Sequence, residues 1–201
     1  GAEAGNRYLY VQTDSNTQQM RRKERSMHRT AVVYCSKYGS TKRYAEWIAE
    51  ETGAQLYAEK ECSSRDLQDC DTIVFGGAIH AGGILGIKFI QKNLKQFEGK
   101  RIIVFAVGLN VEDEQNQQQC IEINFKKKMK DIPCFFLRGA YDPPRISGFD
   151  KKLMGMVRKM IAGKKNSEIT EQEQELLKAI DEGADYVDRS RIAELVRFIK
   201  E

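Results

Sequence analysis

The stretch Thr30-Ala31-Val32-Val33-Tyr34-Cys35-Ser36-Lys37-Tyr38-Gly39-Ser40-Thr41 decides how the chain is read. Its first half is the first strong apolar run and reads as a strand over 30–35. A helix follows from about Ser40 to Thr52, with Ala45, Ile48 and Ala49 on one face and Gly53 as its stop. The loop between them therefore opens a helix at its positive end, where backbone N–H groups lack partners. Ser36, Ser40 and Thr41 add hydroxyls, Lys37 adds charge, Tyr38 lies between them, and Gly39 permits close backbone approach. A phosphate anchor is the reading favoured by this placement. An ordinary N-cap by Ser36 or Ser40 is the alternative use of the same residues.

Outward from that stretch, short apolar runs alternate with amphipathic segments, the pattern of βα units around a parallel sheet. Further strands are expected over 55–60, 72–78, 101–107 and 133–138, the third and fourth strands rich in Ile, Val and Phe as if covered on both faces. A turn or two is expected over 64–68. A helix carrying Ile87, Ile90, Leu94 and Phe97 ends at Gly99, and another spans 113–129. Five strands so spaced predict a three-layer α/β, doubly wound parallel sheet of order 2-1-3-4-5. The tail adds a helical C-terminal extension over 149–161, 170–182 and 190–200, with a Thr170/Glu173 capping box opening the second.

In such a sheet ligands sit beyond the carboxyl ends of the strands at the switch point between strands one and three. The glycine-rich run Gly76 to Gly83 follows the third strand, so Ala78, Ile79, His80, Ala81 and Gly82 are expected as a loop beside the first one. Gly76 and Gly77 also serve close packing of strand on helix, and His80 also reads as a solvated loop histidine. Gly108, Leu109 and Asn110, ending the fourth strand, would complete a cradle from three strand ends, or form a turn chosen for Gly and Asn conformations.

Competing chemistries find little support. Neither G-x-G-x-x-G nor G-x-x-x-x-G-K-[ST] occurs, no Ser-His-Asp set is recognisable, and no metal constellation emerges from His28, His80 and the cysteines. The five cysteines form no C-x-x-C pair, which fits free thiols in a reducing cytoplasm. No apolar run approaches the roughly 20 residues of a membrane span. A net charge of +4 does not signal nucleic acid, and none is expected as a partner. Residues 1–29 are polar and basic and read as a leader or appendage, with strand propensity over 7–12, leaving 30–201 as the domain.

Segment 145–165 holds seven basic residues against one acid, Asp150. Phe149, Leu153, Met156, Val157 and Met160 make an apolar stripe at helical spacing. Such a helix can make peripheral contact with an anionic membrane. The stripe is more simply expected to pack on the domain, with the acidic stretch 168–185 pairing the basic face.

The opening strand and loop, together with Asp66 to Asp71, Ile73-Val74-Phe75-Gly76-Gly77 and Phe105-Ala106-Val107-Gly108, resemble those of flavodoxins. More closely, with Arg138-Gly139-Ala140-Tyr141, Pro144, Arg145, Asp150 and the Met-rich run 153–157, the chain resembles the flavodoxin-domain family that includes the menaquinone-dependent protoporphyrinogen oxidases. The resemblance implies a flavodoxin-like FMN domain, its phosphate on Ser36 to Thr41 and its ring against Ala78 to Gly82 and Gly108 to Asn110. Flavodoxins commonly stack an aromatic side chain on the flavin. His80-Ala81-Gly82 supplies none here, which leaves Tyr38 or Tyr141 as substitutes. Three functions follow: an FMN-dependent oxidoreductase or electron-transfer protein, with a redox partner protein or a quinone; a quinone-dependent protoporphyrinogen oxidase; or a flavodoxin-fold interaction module without flavin.

Overall fold

The computed structural model describes Thr17 and residues 29–201. Apart from Thr17 and Arg29, the leader lies outside the described residues, and so does the expected strand over 7–12. The strands are β1 (Thr30–Cys35), β2 (Gln55–Ala58), β3 (Thr72–His80), β4 (Gly83–Ile84), β5 (Arg101–Gly108), β6 (Cys134–Arg138), β7 (Ala140–Tyr141) and β8 (Ala184–Asp185). The main sheet runs β2-β1-β3-β5-β6, all parallel, which is the expected order counted over the parallel strands.

Helices α1 (Ser40–Thr52), α2 (Lys88–Asn93), α3 (Glu114–Asn124), α4 (Gly148–Ala162), α5 (Glu171–Glu182) and α6 (Ala193–Lys200) surround it. Two apolar clusters sandwich the sheet, because alternate residues of each strand point to opposite faces. Val32, Val74, Ile103 and Phe105 meet Tyr44, Ile48, Leu195 and Ile199 of α1 and α6. Ala31, Val33, Ile73, Phe75 and Val104 meet Phe89, Ile90, Phe97 and Cys120 on the other side. Tyr44 is fully buried, and its hydroxyl is satisfied by donating to the Arg138 carbonyl at 2.5 Å.

Several boundaries differ from expectation for identifiable reasons. The second strand stops at Ala58, where the charged run Glu59-Lys60-Glu61 makes a 3-10 turn. The helix expected up to Gly99 is regular only to Asn93, whose side-chain amide bonds back to the Phe89 carbonyl. The helix expected over 113–129 ends at Asn124, and Lys127–Met129 is a 3-10 turn. Asn124 is buried because its side chain links the Ile84 N–H, at 2.9 Å, to the Gly82 carbonyl, at 2.9 Å. The last helix begins at Ala193 after a 3-10 turn. By contrast α4 and α5 fall where predicted, the latter with both halves of its capping box made.

The largest departure is at the third strand. Residues expected as a loop continue β3 through Ala78, Ile79 and His80, then turn back through Ala81 (φ 50°) and Gly82 (φ 80°) into β4. Positive φ at both central residues matches the twist of a two-residue hairpin. Gly76 and Gly77 do serve packing, but not of strand on helix. A Cβ on Gly76 would lie 1.9 Å from Cζ of Phe105 on the adjoining strand, and one on Gly77 would lie 2.4 Å from the Leu85 carbonyl oxygen. The short antiparallel pair β7–β8, which has no counterpart among the expected strands, ties the tail to the chain just after β6.

Candidate functional site

The carboxyl ends of β1, β3 and β5 converge on one cavity of about 390 Å³, within the size range of small-ligand pockets. Ser36, Lys37, Tyr38, Ser40 and Thr41 line it from the first loop, Ala78, Ile79, His80, Ala81 and Gly82 from the hairpin, and Gly108, Leu109 and Asn110 from the end of β5. Of the residues expected there, Gly39 alone does not line it. It is the N-cap of α1 and adopts φ 104°, a conformation that glycine accommodates without strain.

The start of α1 is bare. No side chain caps it and no acid sits in its first turn, so the ordinary N-cap reading of Ser36 and Ser40 does not hold. Among the described residues the N–H groups of Ser40, Thr41 and Lys42 have no acceptor. Ser36 Oγ accepts from the Gly39 N–H at 3.1 Å, and Ser40 Oγ from the Ala140 N–H at 3.2 Å. Each hydroxyl thus uses a lone pair and keeps its hydrogen free to donate. The Thr41 hydroxyl is buried and has no partner among the described residues. A buried polar group without a partner costs roughly 1–3 kcal/mol, and Thr41 stands in the first turn of α1 among the residues that line the cavity. These residues fit a phosphate.

The far side of the cavity is made by a residue that sequence reasoning assigned no role. Asp150, in the first turn of α4, is 5% exposed. Its carboxylate accepts from Lys37 Nζ at 2.5 Å, from the Tyr38 hydroxyl and from His80 Nε2. An ionised carboxylate only accepts, so His80 Nε2 carries its hydrogen. His80 is therefore no solvated loop residue, and α4 is pinned to both the first loop and the hairpin. Ile146, Leu153, Met154 and Val157 continue the wall, with Tyr141 from β7. Of the two aromatic substitutes, both reach the cavity, but the Tyr38 hydroxyl is committed to Asp150. The available signal in the sequence was that Asp150 is the lone acid of a basic segment.

Donation by Lys37, then by Tyr38 and His80, holds the Asp150 carboxyl well below the usual carboxylate range. A depressed folded-state pKa contributes stability that is full above the unfolded value, about 3.9, and is lost as pH falls below it. Asp150→Asn is therefore expected to destabilise the protein by about 1–3 kcal/mol at neutral pH, with the difference shrinking below about pH 4. Urea unfolding of both proteins at the two pH values checks this; an equal difference at each would show that the charge of Asp150 is immaterial.

A flavodoxin domain model matches residues 31–168. No curated protein sequence matches the chain. Among solved structures, it is similar to a WrbA-like flavodoxin from Agrobacterium tumefaciens, at 19% identity and TM-score 0.43, covering 86% of this chain and 99% of that one. It is also similar to flavodoxin 2 of Bacillus cereus, at 15% identity and TM-score 0.36, covering 59% and 88%. A third is the Trp repressor binding protein of Bacillus subtilis, at 17% identity and TM-score 0.38, covering 55% and 83%. Among the described residues no helix is long and apolar enough to cross a membrane.

Proposed function

We propose, from the premise that this chain belongs to the flavodoxin domain family, that it binds FMN and acts as a cytoplasmic redox protein, an oxidoreductase or electron carrier. The observation that carries this reading is the buried, unpartnered Thr41 hydroxyl at the uncapped end of α1. Ser36, Ser40, Thr41 and the first N–H groups of α1 would hold the phosphate. Ala78 to Gly82 and Gly108 to Asn110 would bound the ring, with Tyr141 as the aromatic neighbour. Bound FMN would supply one- or two-electron transfer. The chain's own part is to orient the cofactor, exclude water and fix His80 through Asp150. FMN added to the purified protein is expected to be retained, with absorbance near about 450 nm that belongs to the flavin and not the chain. Protein that stays colourless after incubation with FMN overturns the reading.

A second reading, a quinone-dependent protoporphyrinogen oxidase, is favoured by the apolar wall of Ile146, Leu153, Met154 and Val157 beside the cradle. That wall suits a large apolar reactant or a quinone acceptor better than a docked protein carrier. Porphyrin formation from protoporphyrinogen, followed with and without a quinone on flavin-loaded protein, separates the two. No turnover in either case leaves the carrier.

A further inference from the structure

The apolar stripe of α4 does not pack on the domain as a whole. Leu153 and Val157 turn towards the cavity, but Phe149, Met156 and Met160 are 67%, 61% and 66% exposed. Two and three helical turns separate the last two from the first, so all three lie along one line of the helix. The acidic stretch pairs two of the basic residues: α5 supplies Asp181 to Arg158 at 2.6 Å and Glu173 to Lys164 at 2.5 Å. Among the described residues Arg145, Lys151, Lys152, Lys159 and Lys165 make no ion pair. The one acid of the segment, Asp150, is buried against Lys37. The outward face of this segment therefore combines large apolar side chains with uncompensated positive charge.

We infer that α4 lies on an anionic lipid surface, with Phe149, Met156 and Met160 entering the acyl boundary and the flanking lysines reaching the headgroups. Lys152 and Lys159 fall roughly 60–80° to one side of the apolar line on a helix of 100° per residue, close enough for their stems to run along the boundary and their ammonium groups to meet phosphates. Protein interfaces are instead depleted in lysine at their centres. A second copy of the same face would bring lysines against lysines. A fluid anionic surface satisfies both components at once. This inference is independent of the flavin reading, since none of the side chains it uses lines the cavity.

The test is sedimentation of the full chain with phosphatidylglycerol vesicles and, separately, with phosphatidylcholine vesicles. Binding to the first and at least about 10-fold weaker binding to the second is expected, because each lysine near an anionic surface contributes about 5-fold. Lys152→Glu with Lys159→Glu should lower binding to phosphatidylglycerol by at least about 25-fold, and Met156→Ser with Met160→Ser by at least about 10-fold. All four positions are exposed, so thermal unfolding and flavin retention should match the parent, which separates lost binding from lost folding. Equal binding to both vesicle types, or no binding to phosphatidylglycerol, overturns the inference. So does self-association in solution that the methionine substitutions abolish.

Discussion

Thr41→Val is expected to leave the ligand-free protein as stable as the parent, or more stable by up to about 2 kcal/mol, while weakening FMN binding by about 10- to 100-fold. The two effects have one origin. The Thr41 hydroxyl is buried without a partner, so valine, of nearly the same shape, removes a group that costs about 1–3 kcal/mol to bury unpaired. A hydroxyl donating to a phosphate makes a charge-assisted bond, of about 1.5–3 kcal/mol. Losing that bond leaves the pocket's shape intact and lowers affinity alone. Thermal unfolding without ligand and fluorescence titration with FMN read the two halves. Reduced ligand-free stability would mean that the hydroxyl is structural, and unchanged affinity would remove Thr41 from the cradle. Ser40→Ala is a less clean probe, because Ser40 Oγ also accepts from the Ala140 N–H.

Gly76→Ala should destabilise the fold by about 3 kcal/mol or more, at the upper end of what overpacked cores show. The new methyl would overlap the Phe105 ring, at 1.9 Å from Cζ and 2.4 Å from each Cε. That ring is fully buried between the sheet and helices α1 and α6, so it has no free space to swing into. Pairing the change with Phe105→Leu removes the obstructing edge, and the double variant should be more stable than Gly76→Ala alone. Chemical denaturation of the three variants gives the coupling. Additive losses would show that Gly76 is needed for its backbone and not for the ring.

Much of this could be read in the sequence. The parallel strands and their order followed from apolar runs bounded by turn residues, and the first loop from its place between β1 and α1. What could not be read depended on contacts far apart along the chain. The hairpin at His80 is held by Asn124, and nothing in the local composition of residues 78–83 announces a partner 42 residues away. Asp150 stands out in the sequence as the lone acid of a basic segment, but its role depends on α4 folding back so that one carboxylate meets residues 37, 38 and 80. The helical period of 149–160 is plain in the sequence and α4 follows it, yet Phe149, Met156 and Met160 of its stripe have nothing to cover among the described residues. Helical periodicity identifies a face; it does not say whether another part of the chain will reach it.

The engagement of Lys37 by Asp150 has a consequence for how the cradle recognises an anion. With Lys37 already paired, the first loop would meet a phosphate chiefly through N–H groups and hydroxyls, which carry dipoles and no net charge. Ionic strength screens the attraction between net charges over about 8 Å at physiological salt, but has far less hold on short-range hydrogen bonds from a helix end. A phosphate held there would be selected by the number and direction of donors, and those hydrogen bonds would depend less on salt than an ion pair with a free Lys37 would.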